Sequence, residues 1–283
     1  MKNLGEFAQG KMNNYREIDD WRKLGELGRL LELRKPPEKL FYSGGWTPGI
    51  FENCAAVVGS RRMTEYGRWS VDRLVRELVD QEKTIVSGFM YGVDQAAHEA
   101  AIEFGGKTIA VLGWGMTWKL EKRERTLAEK IRNSGGLLIS EWEDQEPTLW
   151  TFPVRNRIVA ALASAVYVVE AAEKSGSMIT VNEARKLGRG IYAVPGPITS
   201  QVSGGTNSLI ARGLAKSWLP GKTKVGTMVN ETPVYRLIKE QGGLSADEMG
   251  RILRIGVDVL GVELTRLVLS GVVVERDGQY YQS

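Results

Sequence analysis

Arg155, Asn156 and Arg157 stand in a row after Phe152-Pro153-Val154 and lead into the apolar run 158–162. A guanidinium fork offers paired N–H donors that match two oxygens of a phosphate. The apolar run reads as a helix over 156–163. That would set both arginines and the amide at a helix N-terminus, where free backbone N–H groups and the positive end of the dipole also favour an anion. Such a trio binds negative charge without metal or nucleophile. On a lone surface helix the same residues would be ordinary solvated charges, so the weight falls on what surrounds them.

Other loops repeat the chemistry. Arg61 follows Gly59-Ser60, Lys174 precedes Ser175-Gly176-Ser177, and Ser87-Gly88 opens a loop that ends in Gly92-Val93-Asp94. Glycines let backbone N–H groups come close to a phosphate, and serines add hydroxyl donors. Trp150 and Phe152, just before the arginines, are candidates for stacking on unpaired bases, with burial under a loop as the equal alternative. Trp114 and Trp118 also fall in a loop, where one could lie over a groove. Asp94 and His98 share a helical face, but no nucleophile accompanies them, so a helix cap and a structural hydrogen bond are expected rather than acid–base catalysis. Glu141 and Glu170 end two apolar runs and are expected to bond arginines or backbone N–H groups.

The elements that must position these groups follow a regular beat. Short apolar runs at 55–58, 84–86, 107–112, 136–139, 166–169 and 190–194 alternate with helical stretches at 65–80, 94–104, 121–133, 156–163 and 177–187. Short apolar strands separated by helices imply an α/β fold, a Rossmann-like doubly wound, mostly parallel sheet with its ligand beyond the C-terminal strand ends. Every candidate loop falls on that edge. Before the sheet, apolar residues across 17–34 predict a helix ended by Pro36-Pro37, with a short strand near 40–45. After it, residues 216–230 read as a linker. Residues 231–283 read as three helices and a hairpin with an Asp277-Gly278 turn, the pattern of a winged helix. The expected organisation is an N-terminal extension (1–45), the Rossmann-like domain (46–215), the linker (216–230) and a small C-terminal winged-helix domain (231–283).

Composition narrows the function classes. The chain has 283 residues, 42% of them hydrophobic, and a net charge of +4. Residues 231–283 carry a net charge of −2 and the first 230 carry +6, so a polyanion should bind before residue 231. One cysteine and one histidine exclude a disulfide within the chain and argue against a zinc site; no metal or cofactor is expected. No membrane-length apolar run or signal segment is apparent, so a cytoplasmic location is expected. Gly106-Lys107-Thr108 and Gly221-Lys222-Thr223 lack the earlier glycine of a P-loop, and Trp118 occupies the third glycine position of a dinucleotide fingerprint begun at Gly113.

The order of loops resembles the DNA-processing protein A (DprA, or Smf) family. The matching pieces are Val58-Gly59-Ser60-Arg61, Ser87-Gly88 with Gly92-Val93-Asp94 and Ala97-His98, Ile139-Ser140-Glu141, and Phe152-Pro153 through Arg157. They continue with Val169-Glu170-Ala171, Lys174-Ser175-Gly176-Ser177, Ala193-Val194-Pro195-Gly196 and Gly205-Thr206-Asn207. Differences are Met90-Tyr91 where the family has Ala-Arg, and Trp114 where it has cysteine. The resemblance implies a non-enzymatic single-stranded DNA-binding protein of natural transformation. It would protect incoming strands, help load the RecA recombinase and form a homodimer. It places phosphate contacts on Arg61, Ser87, Gly88, Arg155, Asn156, Arg157, Lys174, Ser175 and Gly176. Two alternatives use the same fold: a nucleotide N-glycosidase of the lysine-decarboxylase-like family, whose motif survives only as Gly204-Gly205-Thr206, and a small-nucleotide sensor.

Overall fold

The computed structural model describes residues 15–220, 232–269 and 273–282, and the chain divides into two compact units, Met1–Leu219 and Pro220–Ser283. In the first unit, two short strands, β1 (Arg16–Glu17) and β2 (Phe41–Gly44), precede the expected series β3 (Cys54–Val58), β4 (Thr84–Ser87), β5 (Thr108–Val111), β6 (Leu137–Ser140), β7 (Ala165–Val168) and β8 (Gly190–Ala193), and β9 (Lys216–Ser217) closes it. The helices between them are α1 (Glu65–Asp80), α2 (Val93–Glu103), α3 (Lys122–Asn133), α4 (Thr151–Leu162), α5 (Ser177–Lys186) and α6 (Gly204–Ala211). The sheet order is β1-β2-β6-β5-β4-β3-β7-β8-β9. It is parallel from β6 to β9, with β2 antiparallel to β6 and β1 antiparallel to β2.

The central strands are apolar throughout because helices cover both of their faces. Every residue of β3, β4, β5 and β6 is buried. On one face Val57 and Ile85 pack with Val71, Leu74 and Ala97 of α1 and α2; on the other, Val58 and Ile109 pack with Ile158, Val159 and Leu162 of α4. The α4 C-terminus is held by cations: Arg29 donates to the Leu162 carbonyl at 3.1 Å and Arg189 to that of Ala161 at 3.2 Å. These bonds fill carbonyls that a helix end leaves without partners.

Two expectations about helices are corrected. Residues 17–34 form no α-helix but two 3-10 stretches, Trp21–Lys23 and Gly25–Glu32. Leu27, Leu30 and Leu33 are buried at steps of three, the period of a 3-10 helix, and Trp21 is buried in the stretch before them. Gly25 and Gly28 also weaken the α-helical alternative. The second correction is the start of α4, five residues earlier than 156. Pro153 lies inside its first turn, where a missing N–H costs nothing. Arg155–Arg157 therefore sit in the second turn, and their backbone N–H groups are not the helix's free donors.

The N-terminal segment belongs to the same unit through β1 and β2. Of the linker expected over 216–230, Lys216–Ser217 forms β9, and residues from 221 lie outside those described, as do Glu231 and the hairpin's Gly271 and Val272.

The second unit contains α7 (Pro233–Gln241), β10 (Leu244–Ser245), α8 (Ala246–Leu253), α9 (Val257–Leu269), β11 (Val273–Arg276) and β12 (Gln279–Gln282), with antiparallel sheet order β10-β12-β11. Ser245 and Glu248 make both bonds of the capping box that opens α8. Asp277 and Gly278 have φ of 52° and 75°, as a tight two-residue hairpin turn requires. Val234, Ile238, Met249, Leu260 and Leu264 form its core.

Candidate functional site

Strands β3 and β7 are neighbours, but the chain leaves them in opposite directions, toward β4 and toward β8. Their loops part at this switch point and leave a crevice at the C-terminal strand ends. The crevice here is a cleft of about 560 Å³. One wall is the loop after β3, with Arg61 and Arg62; the opposite wall is Ser175 and Gly176 before α5; Phe152, Arg155 and Asn156 of α4 complete it beside Gly88.

The loop bearing Arg61 is pinned to the start of α2. The Val93 N–H donates to the Ser60 carbonyl at 3.1 Å. Gly92, at φ 82°, lies against the Ser60 and Arg61 carbonyls, and a Cβ there would collide with both. Arg61 is exposed, and its guanidinium carbon stands 5.3 Å from the centroid of the Phe152 ring, a cation–π contact that aims the charge over the cleft. Phe152 is itself wedged edge-on against Trp114, with centroids 6.2 Å apart. Gly113 leaves room for that ring.

Arg155 is the buried cation of the site, 2% exposed. It donates to the Val111 carbonyl through Nη1 and to Asn156 Oδ1 through Nε at 3.1 Å. Asn156 in turn donates to the Gly176 carbonyl at 3.2 Å, so its amide ties the arginine to the far wall. The buried Asp94 carboxyl faces the same guanidinium. Burial pushes it up to about 6, with Arg155, the Met90 backbone, Ser87 and Arg61 opposing. Burial pulls Arg155 down to about 10 against the pull of Asp94, with Arg61 adding repulsion. Both lie against Gly88, where a Cβ would overlap the Asp94 carboxylate and the Arg155 fork.

His98 closes the floor with both ring nitrogens engaged, Nε2 2.5 Å from the Gly88 carbonyl and Nδ1 2.7 Å from Thr108 Oγ1. A carbonyl only accepts, so the proton of the neutral ring is on Nε2. Burial lowers its pKa to about 4. This is the structural hydrogen bonding expected of His98. Asp94, by contrast, does not cap α2, because Gly92 holds that position.

The structure thus brings Arg61, Gly88, Phe152, Arg155, Asn156, Ser175 and Gly176 to one cleft and leaves four candidates outside it. Arg157 is spent elsewhere: its two terminal nitrogens meet Glu141 at 2.8 and 2.7 Å, and Nε donates to the Lys35 carbonyl at 3.1 Å. Ser87 is fully buried and donates to the Val57 carbonyl at 2.6 Å, so its proton is taken by the sheet and it does not line the cleft. Lys174 is exposed next to Ser175 without lining the cavity. Trp150 is 53% exposed and packs edge-on against Trp142, away from Phe152. Trp114 is a core residue, not a lid. Glu170 accepts from the Thr64 N–H at 2.9 Å and hydroxyl at 2.6 Å, tying β7 to the start of α1. Arg62 is a lining cation not singled out from the sequence; its place beside Arg61 was the available signal. Among the described residues no cluster of three metal-binding side chains occurs, and no helix is long and apolar enough to cross a membrane.

Comparison with known proteins places the chain among relatives of one family. The chain is 40% identical over 184 residues to DNA processing protein DprA of Streptococcus pneumoniae, covering 65% of this chain and 64% of that protein. Over 161 residues it is 44% identical to protein Smf of Escherichia coli, covering 56% and 42%. The matched segment therefore spans less than two thirds of either relative. Among solved structures, DprA from Streptococcus pneumoniae superposes with a TM-score of 0.66 at 35% identity, covering 76% of this chain and 75% of that one. DNA processing protein A from Helicobacter pylori, solved to describe its single-stranded DNA binding mode, superposes at 0.64 with 30% identity, covering 73% and 92%. The family model for DNA recombination-mediator protein A matches residues 20–230, which hold the whole switch-point cleft, and the chain belongs to that family.

Proposed function

We propose that the chain binds single-stranded DNA in the cleft between the β3 and β7 loops and acts without catalysis. The observation that carries this reading is Arg61, an exposed cation held over the Phe152 ring at the mouth of a cleft with Arg155 at its wall. A cation and an aromatic face at one point suit a phosphate and an unpaired base together, which a duplex with stacked bases does not offer. The Helicobacter pylori neighbour, a single-stranded DNA binder, supports the same ligand.

Arg61, Arg62 and Arg155 act as phosphate cations, with Lys174 at the rim. Ser175 and Gly176 supply the opposite wall, and Phe152 is the stacking ring. Four phosphate contacts would give a log–log salt slope near about −3, at roughly −0.7 per contact on single strands. The wider role drawn from the family resemblance is protection of incoming strands and loading of the RecA recombinase by a homodimer. The second unit, as a winged helix of net negative charge, would meet protein rather than DNA.

The N-glycosidase reading loses its remaining support, because Gly205 and Thr206 are buried in α6 rather than lining the cleft. A fluorescence titration of single-stranded against duplex DNA at several salt concentrations tests the proposal, with mononucleotide as competitor. Equal binding of duplex, or full displacement by mononucleotide, would refute it.

A further inference from the structure

We propose that the outer face of α1 continues the cleft as a stacking track for a DNA strand leaving it, a reading that rests on the single-strand assignment above. Tyr66, Trp69, Arg73 and Arg76 recur at steps of three and four, so they share one helix face, and all four are exposed. Trp69 is 49% exposed. It is also held in place: the Tyr66 ring stacks on it with centroids 6.3 Å apart at 26°, and the Arg73 guanidinium carbon lies 5.8 Å from its ring. The Tyr66 hydroxyl donates to the Pro195 carbonyl at 2.6 Å, which anchors the platform to the loop after β8. Arg76 lies over Phe104 at 4.5 Å, one turn further on.

Continuity with the cleft comes from both sides. Arg62, two residues before the Thr64 cap of α1, lines the cleft, and so does Gln201 from the segment that follows Pro195. Arg73 and Arg76 make no ion pair among the described residues, while Asp72 and Glu99 are engaged by Arg68 at 3.5 and 2.9 Å; Glu65, Glu77 and Asp80 are the remaining carboxylates of α1. Two exposed rings followed by two guanidinium groups, leading away from a phosphate site, suit successive unpaired nucleotides, rings for bases and cations for phosphates.

The test measures binding of the full chain to oligothymidylates of about 4 and about 16 nucleotides, the range that single-strand sites span. It includes a long oligonucleotide whose outer residues lack bases. Trp69→Ala should leave the short ligand unaffected and weaken the long one about tenfold, the loss of one stacked base. Trp69→Phe should recover most of that loss, and the difference should vanish on the partly abasic strand. Arg61→Ala should weaken both lengths; if it weakens neither, the cleft assignment itself has failed. If Trp69→Ala binds the long strand like the wild type, or weakens both lengths equally, the track is refuted. A change in sedimenting mass with unchanged DNA affinity would assign this face to a second copy and also refute it.

Discussion

Arg155 and Arg157 are two residues apart on one helix turn and have opposite fates. Arg155 turns to the cleft, where its neighbours are a carbonyl, an amide and the buried Asp94 carboxyl. Arg157 turns to the other side, where Glu141 takes both ends of its fork and the Lys35 carbonyl takes the remaining nitrogen. Residues two apart on a helix do not share a face. A guanidinium therefore belongs to the ligand or to the fold according to which carboxylate the tertiary structure brings to it. Arg157 holds the N-terminal segment and the end of β6 onto α4, and Arg61, exposed at the cleft with the buried Arg155 beside it, is left to meet an anion.

The comparison can be broken most directly at Arg157. Arg157→Ala leaves Glu141 largely buried without its partner and should cost roughly 3 kcal/mol in urea unfolding, the low end for broken buried pairs because both side chains keep some exposure. Replacing both members with apolar residues should restore part of that stability. If Arg157→Ala instead unfolds like the wild type and loses DNA, the assignment of the two arginines is reversed.

Arg61→Ala sharpens the other side. It should weaken single-strand binding about tenfold, or about 1.4 kcal/mol, and reduce the salt slope by about 0.7 while stability moves by less than about 0.5 kcal/mol.

A third, smaller effect concerns pH. An anion beside Arg155 and Arg61 draws off the positive potential that keeps Asp94 ionised, so binding should take up a proton. Affinity should rise from pH 7.5 to 5.5 as Asp94 passes through about 6, and Asp94→Asn should abolish the dependence in the same titration.

The smallest expected effect is on the pH dependence of stability, where two buried groups oppose each other. Asp94, raised from its ordinary 3.8 to about 6, holds more proton when folded, so its contribution falls as pH rises between about 4 and 6. His98, lowered from 6.5 to about 4, holds less, so its contribution grows as pH rises between about 4 and 6.5. The wild type should be nearly flat across that window. Asp94→Asn should unmask a rise in the urea midpoint with pH, and a flat profile in that variant would show that His98 is not buried neutral.

The alternation of buried runs and helices was legible in the sequence because burial on both faces leaves a continuous apolar signature, as 54–58 and 137–140 show. The capping box at Ser245 and the Asp277-Gly278 turn were legible because their chemistry is local. The 3-10 segment 25–32 was misread as an α-helix, since steps of three and of three-and-four look alike over so few turns. The early start of α4 leaves no local mark, because a proline is tolerated within a first turn as well as before a helix. The loops bearing Arg61, Gly88, Ser175 and the α4 trio were named from sequence, for glycine and serine at strand ends are a local record of close backbone approach.

Which of the named groups share a cleft was decided only by the fold. Glu141 meets Arg157 across 16 residues, Phe152 meets Arg61 across 91, and Val57 claims the Ser87 hydroxyl across 30. Side-chain type and periodicity report what a residue can do and whether it is buried. The partner that uses up its hydrogen bonds arrives from a distant stretch of chain, and no local pattern records it.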